Sequence, residues 1–328
     1  MRDDEPLQVT VATKDYDYFR DLQNGAVTAP GVEPIWLTMP IEEVFHRFFS
    51  HLEFDVSEVS MAKYVSAIAR RDSPFVGIPV FPARVIRHSS FWVRTDAGLD
   101  SPAQLAGRRI GVPEWAQTAG VYMRGVLADE YGVDLTSISW VQGGVNMAGR
   151  KEHAVLSLPD DIDLRVESAR SLNDMMLSGE LDAVLSARPP RASARDDGRI
   201  RRLFADPESA ERESYRATKV MPIMHTIAIR RTLVEEHPWL PQSLFRGFVA
   251  AKESSQARLR DEDGPSLPLP WLRYEVERED AQFDAEPWPY GVEANRVTLD
   301  AFLRWSFEQG VCERRLSPDE LFVLNGEE

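Results

Sequence analysis

Short β-like and helix-like runs alternate through the first quarter of the chain. Four runs of apolar, largely β-branched residues predict strands, at 7–13, 34–39, 54–60 and 75–80. Apolar residues recur at helical spacing over 41–49, and a second helix is predicted over 61–70, directly after the third strand. Strands that alternate with helices indicate βαβ units and a mainly parallel sheet.

The middle of the chain repeats this organisation. A compact helix is predicted over 100–107, because Ser101 suits its cap, Pro102 its first turn and Gly107 the residue after its end. Further strands and helices are predicted in alternation, at 108–113, 117–131, 137–141, 171–180 and 181–186. These elements form a second α/β unit with strands of its own.

Strand character returns at 221–230, and the remainder is mostly helical, with helices predicted at 239–259 and 292–309. Two crossings, near 90–95 and 221–230, therefore join two α/β lobes. We expect lobe one to comprise 1–92 plus 226–328, and lobe two 93–225. In such folds ligands bind in the crevice at the carboxyl ends of the strands, between the lobes.

Composition and charge exclude several classes of protein. The chain has 328 residues, of which 43% are hydrophobic and 28% charged, and a net charge of −15. This balance argues against a nucleic-acid partner. The arginine-rich stretch 188–202 is interrupted by Asp196 and Asp197, so a solvated loop is expected there. Cys312 is alone, which excludes a disulfide framework and a cysteine metal site.

The N-terminus is acidic and enters the first strand without an apolar signal segment, and no later run is long enough to span a bilayer. We therefore expect a cytoplasmic protein with no membrane partner. A homo-oligomer is a further expectation, since the C-terminal helices offer surface for one.

The loop after the fourth strand carries Arg84, Arg87 and His88 within five positions. Two guanidinium groups and an imidazole there suit an anion with several oxygens, with an acid beside it. A surface loop with ordinary salt bridges explains the same residues equally well. The functional interpretation gains support because His225 lies in the second crossing, so that both segments point to one cleft.

Six stretches resemble the 4,5-dihydroxyphthalate decarboxylase family, over roughly 54–322. They are I-P-V-F-P-A-R-V-I-R-H-S-S at 78–90, G-V-P-E-W-A-Q-T-A at 111–119, D-E-Y-G-V-D at 129–134, W-V-Q-G-G at 140–144, V-M-P-I-M-H-T at 220–226 and W-P-Y-G-V-E-A-N-R at 288–296. The resemblance implies a two-lobed periplasmic-binding-protein type II-like fold used as a cytoplasmic enzyme that acts on catechol-type dicarboxylates. It implies no metal or organic cofactor that can be assigned to residues of this chain, and the sequence lacks H-x-H, H-E-x-x-H and paired cysteines. A metal held by scattered aspartate, glutamate and histidine side chains stays open.

Decarboxylation of such a ring is easiest when the carbon that bears the carboxylate is first protonated. The para oxygen then pushes electron density into the ring, and carbon dioxide leaves as aromaticity returns. The enzyme needs cations for the carboxylates, a base near the phenol and an acid over the ring. We assign the carboxylates to Arg84 and Arg87, the proton to His88 or His225, and the base to Glu114.

The remaining candidates are substrate contacts, each with a structural alternative. Trp115 could stack on the ring or belong to the core, and Thr118 could bind a carboxylate at a helix start or only cap that helix. Glu114 itself could be a helix cap. The other candidate substrate contacts are Gly143, Gly144, Asn146, Arg188 and Tyr290. The structural alternatives are a turn for the two glycines, a surface ion pair for Arg188, and for Tyr290 the attachment of its loop to the body of the protein.

Two other functions remain open at this point. A ligand-binding protein of the same fold would bind a small carboxylate without turnover, and an export signal is its expected companion. A lyase that acts on chorismate-type rings would share a cation-lined cleft. The leading hypothesis is a cofactor-independent aromatic acid decarboxylase.

Overall fold

The computed structural model describes residues 5–194, 198–261, 263–283 and 286–324. The outermost ends of the predicted lobe one, 1–4 and 325–328, lie outside the described residues. Asp196 and Asp197 of the predicted arginine-rich loop lie outside them as well.

Strands and helices alternate over most of the described chain. The strands are β1 (Leu7–Thr13), β2 (Val32–Thr38), β3 (Val56–Ser60), β4 (Phe75–Ile78), β5 (Phe91–Arg94), β6 (Arg109–Val112), β7 (Ser139–Gln142), β8 (Leu164–Val166), β9 (Ala183–Leu185), β10 (Ile200–Arg202) and β11 (His225–Arg230). The helices are α1 (Arg20–Gln23), α2 (Ile41–His51), α3 (Met61–Ala69), α4 (Thr118–Asp129), α5 (Leu172–Leu177), α6 (Pro207–Thr218), α7 (Arg231–Glu236), α8 (Leu240–Leu259), α9 (Leu272–Gln282) and α10 (Arg296–Glu308).

The strands form two sheets, which confirms the predicted α/β class. The first has the order β2-β1-β3-β11-β4 and the second β10-β5-β9-β6-β7-β8. We call each sheet with its helices a lobe, the first and the second. The division of the chain at residues 92 and 225 stays a prediction.

Each lobe contains one strand that arrives from the other lobe and runs antiparallel to its neighbours. In the first lobe this is β11, whose first residue, His225, pairs with Ser60 at the end of β3. In the second lobe it is β5, where Phe91 pairs with Leu185 at the end of β9. Both crossing strands therefore enter at the edge where the parallel strands end, and these carboxyl edges are where such folds bind ligands.

The two carboxyl edges meet in the structure. The hydroxyl of Thr118, the first residue of α4, lies 3.0 Å from the hydroxyl of Ser60 and accepts a 3.0 Å hydrogen bond from the Ala62 amide in α3. The first lobe thus contacts the second at the starts of two helices, each of which follows a strand of its own sheet.

Residues 102–105 form a 3₁₀ turn rather than the compact α-helix predicted over 100–107. The end signals are nevertheless present, since Ser101 and Gln104 make a reciprocal capping box and Gly107 has φ +72°. Five residues lie between Ser101 and Gly107, and four of them form the 3₁₀ turn.

The C-terminal segment packs on both lobes. Phe302 of α10 stacks on Tyr122 of α4 with ring centroids 4.8 Å apart, and the amide of Ser157 donates to the Gly310 carbonyl (2.8 Å). The chain then returns to the first sheet, where the amide of Val323 donates to the Gly77 carbonyl (3.1 Å). Among the described helices, none combines the length and the apolar character needed to cross a bilayer.

Candidate active site

His225 forms an ion-pair geometry with a carboxylate at the carboxyl edge of the first sheet. Its Nδ1 lies 2.6 Å from Oε1 of Glu58. Glu58 and Ser60 alternate on β3 and share one face, and His225 pairs with Ser60, so His225 and Glu58 are diagonal neighbours. The Glu58 side chain is fully buried, whereas that of His225 keeps 19% of its surface exposed.

Two further groups donate hydrogen bonds to Glu58. The Tyr16 hydroxyl donates to Oε1 (2.7 Å), the same oxygen that contacts His225, and the amide of Lys14 donates to Oε2 (3.0 Å). Burial, and then the neighbouring charge of Glu58, raises the pKa of Tyr16, so the phenol stays protonated and acts as a donor. A buried carboxylate needs such partners, because an unpaired buried charge is very costly.

Because Glu58 engages Nδ1, the nitrogen of His225 that remains for a substrate is Nε2. The edge of the ring also faces Phe45 of α2, with ring centroids 5.0 Å apart and an interplanar angle of 86°. A carboxylate that fixes one imidazole nitrogen and leaves the other free is the arrangement of a proton donor or acceptor.

Glu114, the candidate base, is held between two cations from opposite lobes. Its Oε1 accepts bonds from Nε and a terminal nitrogen of Arg150 (2.7 and 2.6 Å), and its Oε2 lies 2.9 Å from Nζ of Lys63 in α3. Glu114 is buried, so this double pairing stabilises its charge. Glu114 therefore acts as an ion-pair partner of both lobes, and its assignment as the base stays a prediction.

Arg188 lies just after β9 and reaches the first lobe. One of its terminal nitrogens lies 3.2 Å from Oε1 of Glu42 in α2, and Arg150 contacts the same oxygen at 3.2 Å. Glu42 precedes Phe45, the neighbour of His225, by one helical turn. The two guanidinium groups therefore contact the helix that carries Phe45, the neighbour of His225.

A cavity of about 780 Å³ lies beside Phe45, between the lobes. His225 and Arg188 are not among the residues that line it, and Phe45 connects the cavity to the His225 ring. Glu42, Phe45 and Lys63 line it from the first lobe, and Glu114 and Arg150 from the second. Aromatic and cationic groups on opposite walls suit an aromatic acid.

The glycine loop after β7 has a structural role. A Cβ on Gly144 would lie 1.7 Å from the Met147 carbonyl oxygen, and one on Gly143 would lie 2.9 Å from that of Glu167, so both positions require glycine. The Asn146 side chain bridges the Pro189 carbonyl (3.0 Å) and the Arg191 amide (2.7 Å). This loop therefore positions the segment that carries Arg188.

Arg84 is buried and its guanidinium is bonded to protein groups. Its guanidinium donates to the carbonyls of Met221 (3.3 Å) and Pro289 (2.7 Å) and to the side chain of Asn295. Burial lowers the pKa of Arg84 to about 10. The side chain thus joins the second crossing to the segment before α10, and its assignment to a substrate carboxylate stays a prediction.

His88 is buried and Arg87 is partly buried, and both line a small pocket beside Tyr122. The His88 side chain is 1% exposed and packs edge-on against Phe204 at 4.9 Å, and its Nε2 has no hydrogen-bond partner among the described residues. Burial lowers the pKa of His88 to about 4 and that of Arg87 to about 10. A neutral imidazole in an aromatic cluster is a poor proton donor, so His225 is the remaining candidate of the two histidines.

Trp115 belongs to the core. It is fully buried, its indole donates to the Gln309 carbonyl (2.7 Å), and the Arg124 guanidinium covers its face at 3.8 Å from the ring centroid. Protein side chains therefore enclose the Trp115 ring, which leaves none of its surface exposed to a substrate.

Tyr290 lies near the Glu58 cluster. Its hydroxyl is buried without a hydrogen-bond partner among the described residues, and Nζ of Lys252 lies 4.6 Å from its ring centroid. Burial raises the pKa of Tyr290, and the charge of Glu58 contributes in the same direction. Thr118 is likewise close to the site, through its contact with Ser60.

Sequence reasoning missed Glu58, Tyr16 and Lys14. One signal was available for Glu58, because it is a charged residue in the middle of the otherwise uncharged run V-S-E-V-S. A charge in a strand that is buried at every position needs a buried partner, and this is often a functional pair. No group of three or more histidine, cysteine or acidic side chains suited to a metal occurs among the residues that the structure describes.

Comparisons with known proteins agree with the motifs and the fold. A 4,5-dihydroxyphthalate decarboxylase from Comamonas testosteroni is 38% identical over 317 residues, which cover 96% of each chain. Another from Pseudomonas putida is 38% identical over 212 residues, which cover 64% of this chain and 82% of the relative. No protein-family model matches the chain.

Solved structures share the fold at low sequence identity. The aliphatic sulphonate binding protein SsuA from Escherichia coli superimposes with a TM-score of 0.53 at 14% identity, covering 98% of this chain and 93% of that one. The alkanesulfonate-binding protein SsuA from Xanthomonas axonopodis pv. citri gives 0.50 at 16% identity, covering 97% and 98%. The predicted periplasmic-binding-protein-like fold is thereby confirmed.

Proposed function

The chain belongs to the 4,5-dihydroxyphthalate decarboxylase family, and on that premise we propose that it removes one carboxylate of 4,5-dihydroxyphthalate as carbon dioxide and releases protocatechuate. It is then a carboxy-lyase of aromatic acids. The observation that carries the proposal within the structure is the pairing of His225 with the buried Glu58, at the cleft edge of the first sheet.

The reaction needs one proton and no oxidant. His225 delivers a proton from Nε2 to the ring carbon that bears the departing carboxylate, and a new C–H bond forms. The C–C bond to the carboxylate then breaks, its electron pair restores the aromatic ring, and carbon dioxide leaves. Glu58 holds the imidazole by Nδ1 throughout, which fixes its orientation and stabilises its protonated form.

We assign the carboxylate that stays on the ring to Arg188 and Arg150. Both guanidinium groups contact the Glu42 carboxylate at 3.2 Å, so their geometry already accommodates a carboxylate. The departing carboxylate should contact fewer cations, because it must lose its charge as carbon dioxide forms. Phe45, which lies next to His225 and lines the cavity, supplies an apolar wall for the ring.

Turnover of 4,5-dihydroxyphthalate, followed by carbon dioxide release and protocatechuate formation, tests the proposal. We expect His225→Asn to lower kcat at least about 100-fold with little change in KM, because general acid catalysis contributes factors of this size. His51→Asn is the matched control, since His51 is exposed at the end of α2 and should retain activity.

Two outcomes contradict this assignment. Tight binding of the substrate without carbon dioxide release would make the chain a binding protein of the same fold. An active His225→Asn together with an inactive, folded His88→Phe would move the proton donor to the other histidine.

We also propose that the protein works in the cytoplasm. The support is that Cys312 is buried and unpaired, so it gives no sign of an oxidising compartment. Fractionation of the source cells, with activity followed in each fraction, tests this location.

A further inference from the structure

Tyr16 and His225 contact the same oxygen of Glu58. We propose that Tyr16 is a positioning residue for the decarboxylation, whose hydroxyl acts through Glu58 to set how readily His225 gives up its proton. The inference rests on the proposed function, since it assigns a role in the same reaction.

The shared oxygen is the basis of the proposal. The Tyr16 hydroxyl lies 2.7 Å from Oε1 of Glu58, and Nδ1 of His225 lies 2.6 Å from that oxygen. Oε2 is engaged separately, by the Lys14 amide at 3.0 Å. Two donors on one carboxylate oxygen share its negative charge, so each attracts that charge away from the other.

Aromatic packing holds the Tyr16 side chain in place. Its ring stacks on that of Tyr18 at 4.9 Å with an interplanar angle of 20°, and it meets the edge of Phe19 at 5.6 Å. Tyr18 in turn donates its hydroxyl to the Pro82 carbonyl. The Tyr16 hydroxyl is therefore held on Glu58 by the packing of the turn that follows β1.

Other titratable groups surround the pair and stay in place when only the Tyr16 hydroxyl is removed. Nζ of Lys14 lies 5.6 Å from the Tyr16 ring centroid, and Tyr290 lies close enough to feel the Glu58 charge. Ser60 and Thr118, on the other side of His225, carry no charge. A change on removal of the hydroxyl therefore reports its bond to Glu58.

Removal of the Tyr16 hydroxyl and removal of the Glu58 charge should have opposite effects. In Tyr16→Phe, Oε1 has His225 as its remaining side-chain donor, so the carboxylate attracts the imidazole proton more strongly. His225 then keeps its proton to higher pH but is a weaker acid. In Glu58→Gln the ionic partner is lost, and His225 loses its proton at lower pH.

The experiment measures pH profiles of kcat and KM for the wild type, Tyr16→Phe, Glu58→Gln and Tyr18→Phe. For Tyr16→Phe we expect kcat to fall about three- to tenfold with KM within about twofold, and the basic limb of the kcat profile to move up by up to about one pH unit, since a hydrogen bond to a charged group is worth roughly a tenfold effect. For Glu58→Gln the limb should move down.

Tyr18→Phe is the matched control, because it removes a phenol hydroxyl from the same aromatic stack without touching Glu58. It should keep the wild-type pH profile. Equal profiles for Tyr16→Phe and Tyr18→Phe would overturn the proposal, as would shifts of the same sign in Tyr16→Phe and Glu58→Gln. A change in KM rather than kcat would make Tyr16 a substrate contact instead.

A titration of the histidine rings by NMR separates this inference from the proposed function. The chain has six histidines, so the His225 signal can be assigned by its absence in His225→Asn. We expect the His225 titration midpoint to rise in Tyr16→Phe and to stay unchanged in Tyr18→Phe. If the wild type releases no carbon dioxide, the proposed function fails, and this midpoint still decides whether Tyr16 acts on His225.

Discussion

At the scale of single residues, the two histidines that the sequence placed on equal terms have opposite environments. His225 has a carboxylate on one nitrogen and an exposed edge, whereas His88 is enclosed by aromatic rings. His88 begins a short 3₁₀ turn before β5 and His225 begins β11, and their local sequence does not separate them. The difference arises from residues far away in the chain, Glu58 for one and Phe204 for the other.

The buried His88 should make stability depend on pH. Its pKa of about 4 in the folded protein lies below the usual 6.5, so between these values the unfolded chain binds a proton that the folded protein does not. Stability therefore falls as pH decreases through this window. We expect the free energy of unfolding to fall by about 2 kcal/mol more in the wild type than in His88→Phe between pH 7 and pH 5.

Urea unfolding of both proteins at the two pH values measures this difference. Phenylalanine suits the site, because His88 already packs against Phe91 and Phe204. An equal pH dependence in the two proteins would show that His88 titrates normally in the folded state.

Residue types near the cleft were predictable, but their partners were not. A motif singled out Glu114 and Thr118, and the end of a predicted strand singled out Arg188. The structure brings all three to the facing edges of the lobes. The acceptors of Arg84 include two main-chain carbonyls that no sequence pattern marks. Glu58 required knowledge of which strand enters beside β3.

At the scale of elements, the hydrophobic periodicity located most strands and helices of the first lobe within a few residues. The prediction for α2 began at Ile41, where the helix begins, and that for β1 matched both ends. The short strands β8 and β10 have three residues each and mostly exposed or half-buried positions, so they carry almost no apolar signal. The antiparallel entry of β5 and β11 depends on the path of the chain between lobes.

The contact of α4 with α10 depends on a glycine. A Cβ on Gly125 would lie 2.2 Å from Cδ2 of Trp305, whose indole donates to Asp129 (3.0 Å). Alanine is the better helix former by about 1 kcal/mol, but the overlap with a held indole should outweigh this gain. We expect Gly125→Ala to lower the free energy of unfolding by about 1–3 kcal/mol.

A double-mutant cycle with Trp305→Leu identifies the cause. In the leucine background the overlap is relieved, so Gly125→Ala should be neutral or stabilising by up to about 1 kcal/mol. Chemical unfolding of the four proteins provides the measurement. An equal loss in both backgrounds would place the strain elsewhere in α4.

At the scale of the whole molecule, ion pairs of unequal burial join the two lobes. Glu114 is buried between Lys63 and Arg150, whereas Glu42, which pairs with Arg150 and Arg188, is half-exposed. In Glu114→Gln the two cations face each other without the carboxylate, so we expect a loss of about 3 kcal/mol in stability and separation of the lobes. Glu42→Gln should cost less than about 1 kcal/mol.

Spin labels on Ser50→Cys and Lys151→Cys, which lie on opposite walls of the cavity, report the lobe separation. The native Cys312 is buried and should not compete for the label. Pulsed dipolar spectroscopy should give a longer and broader distance distribution in the Glu114→Gln background than in the Glu42→Gln background. Identical distributions would mean that the buried pair does not hold the cleft.

The path of the C-terminal segment limits how far such a separation can go. The chain leaves α10 against the second lobe and ends on β4 of the first, through contacts at Gly310 and Val323. A wide opening of the cleft would have to break one of these two contacts. A smaller opening, sufficient for a flat aromatic ring to enter and a smaller product to leave, can keep both. We therefore expect the tail to link the lobes throughout each catalytic cycle.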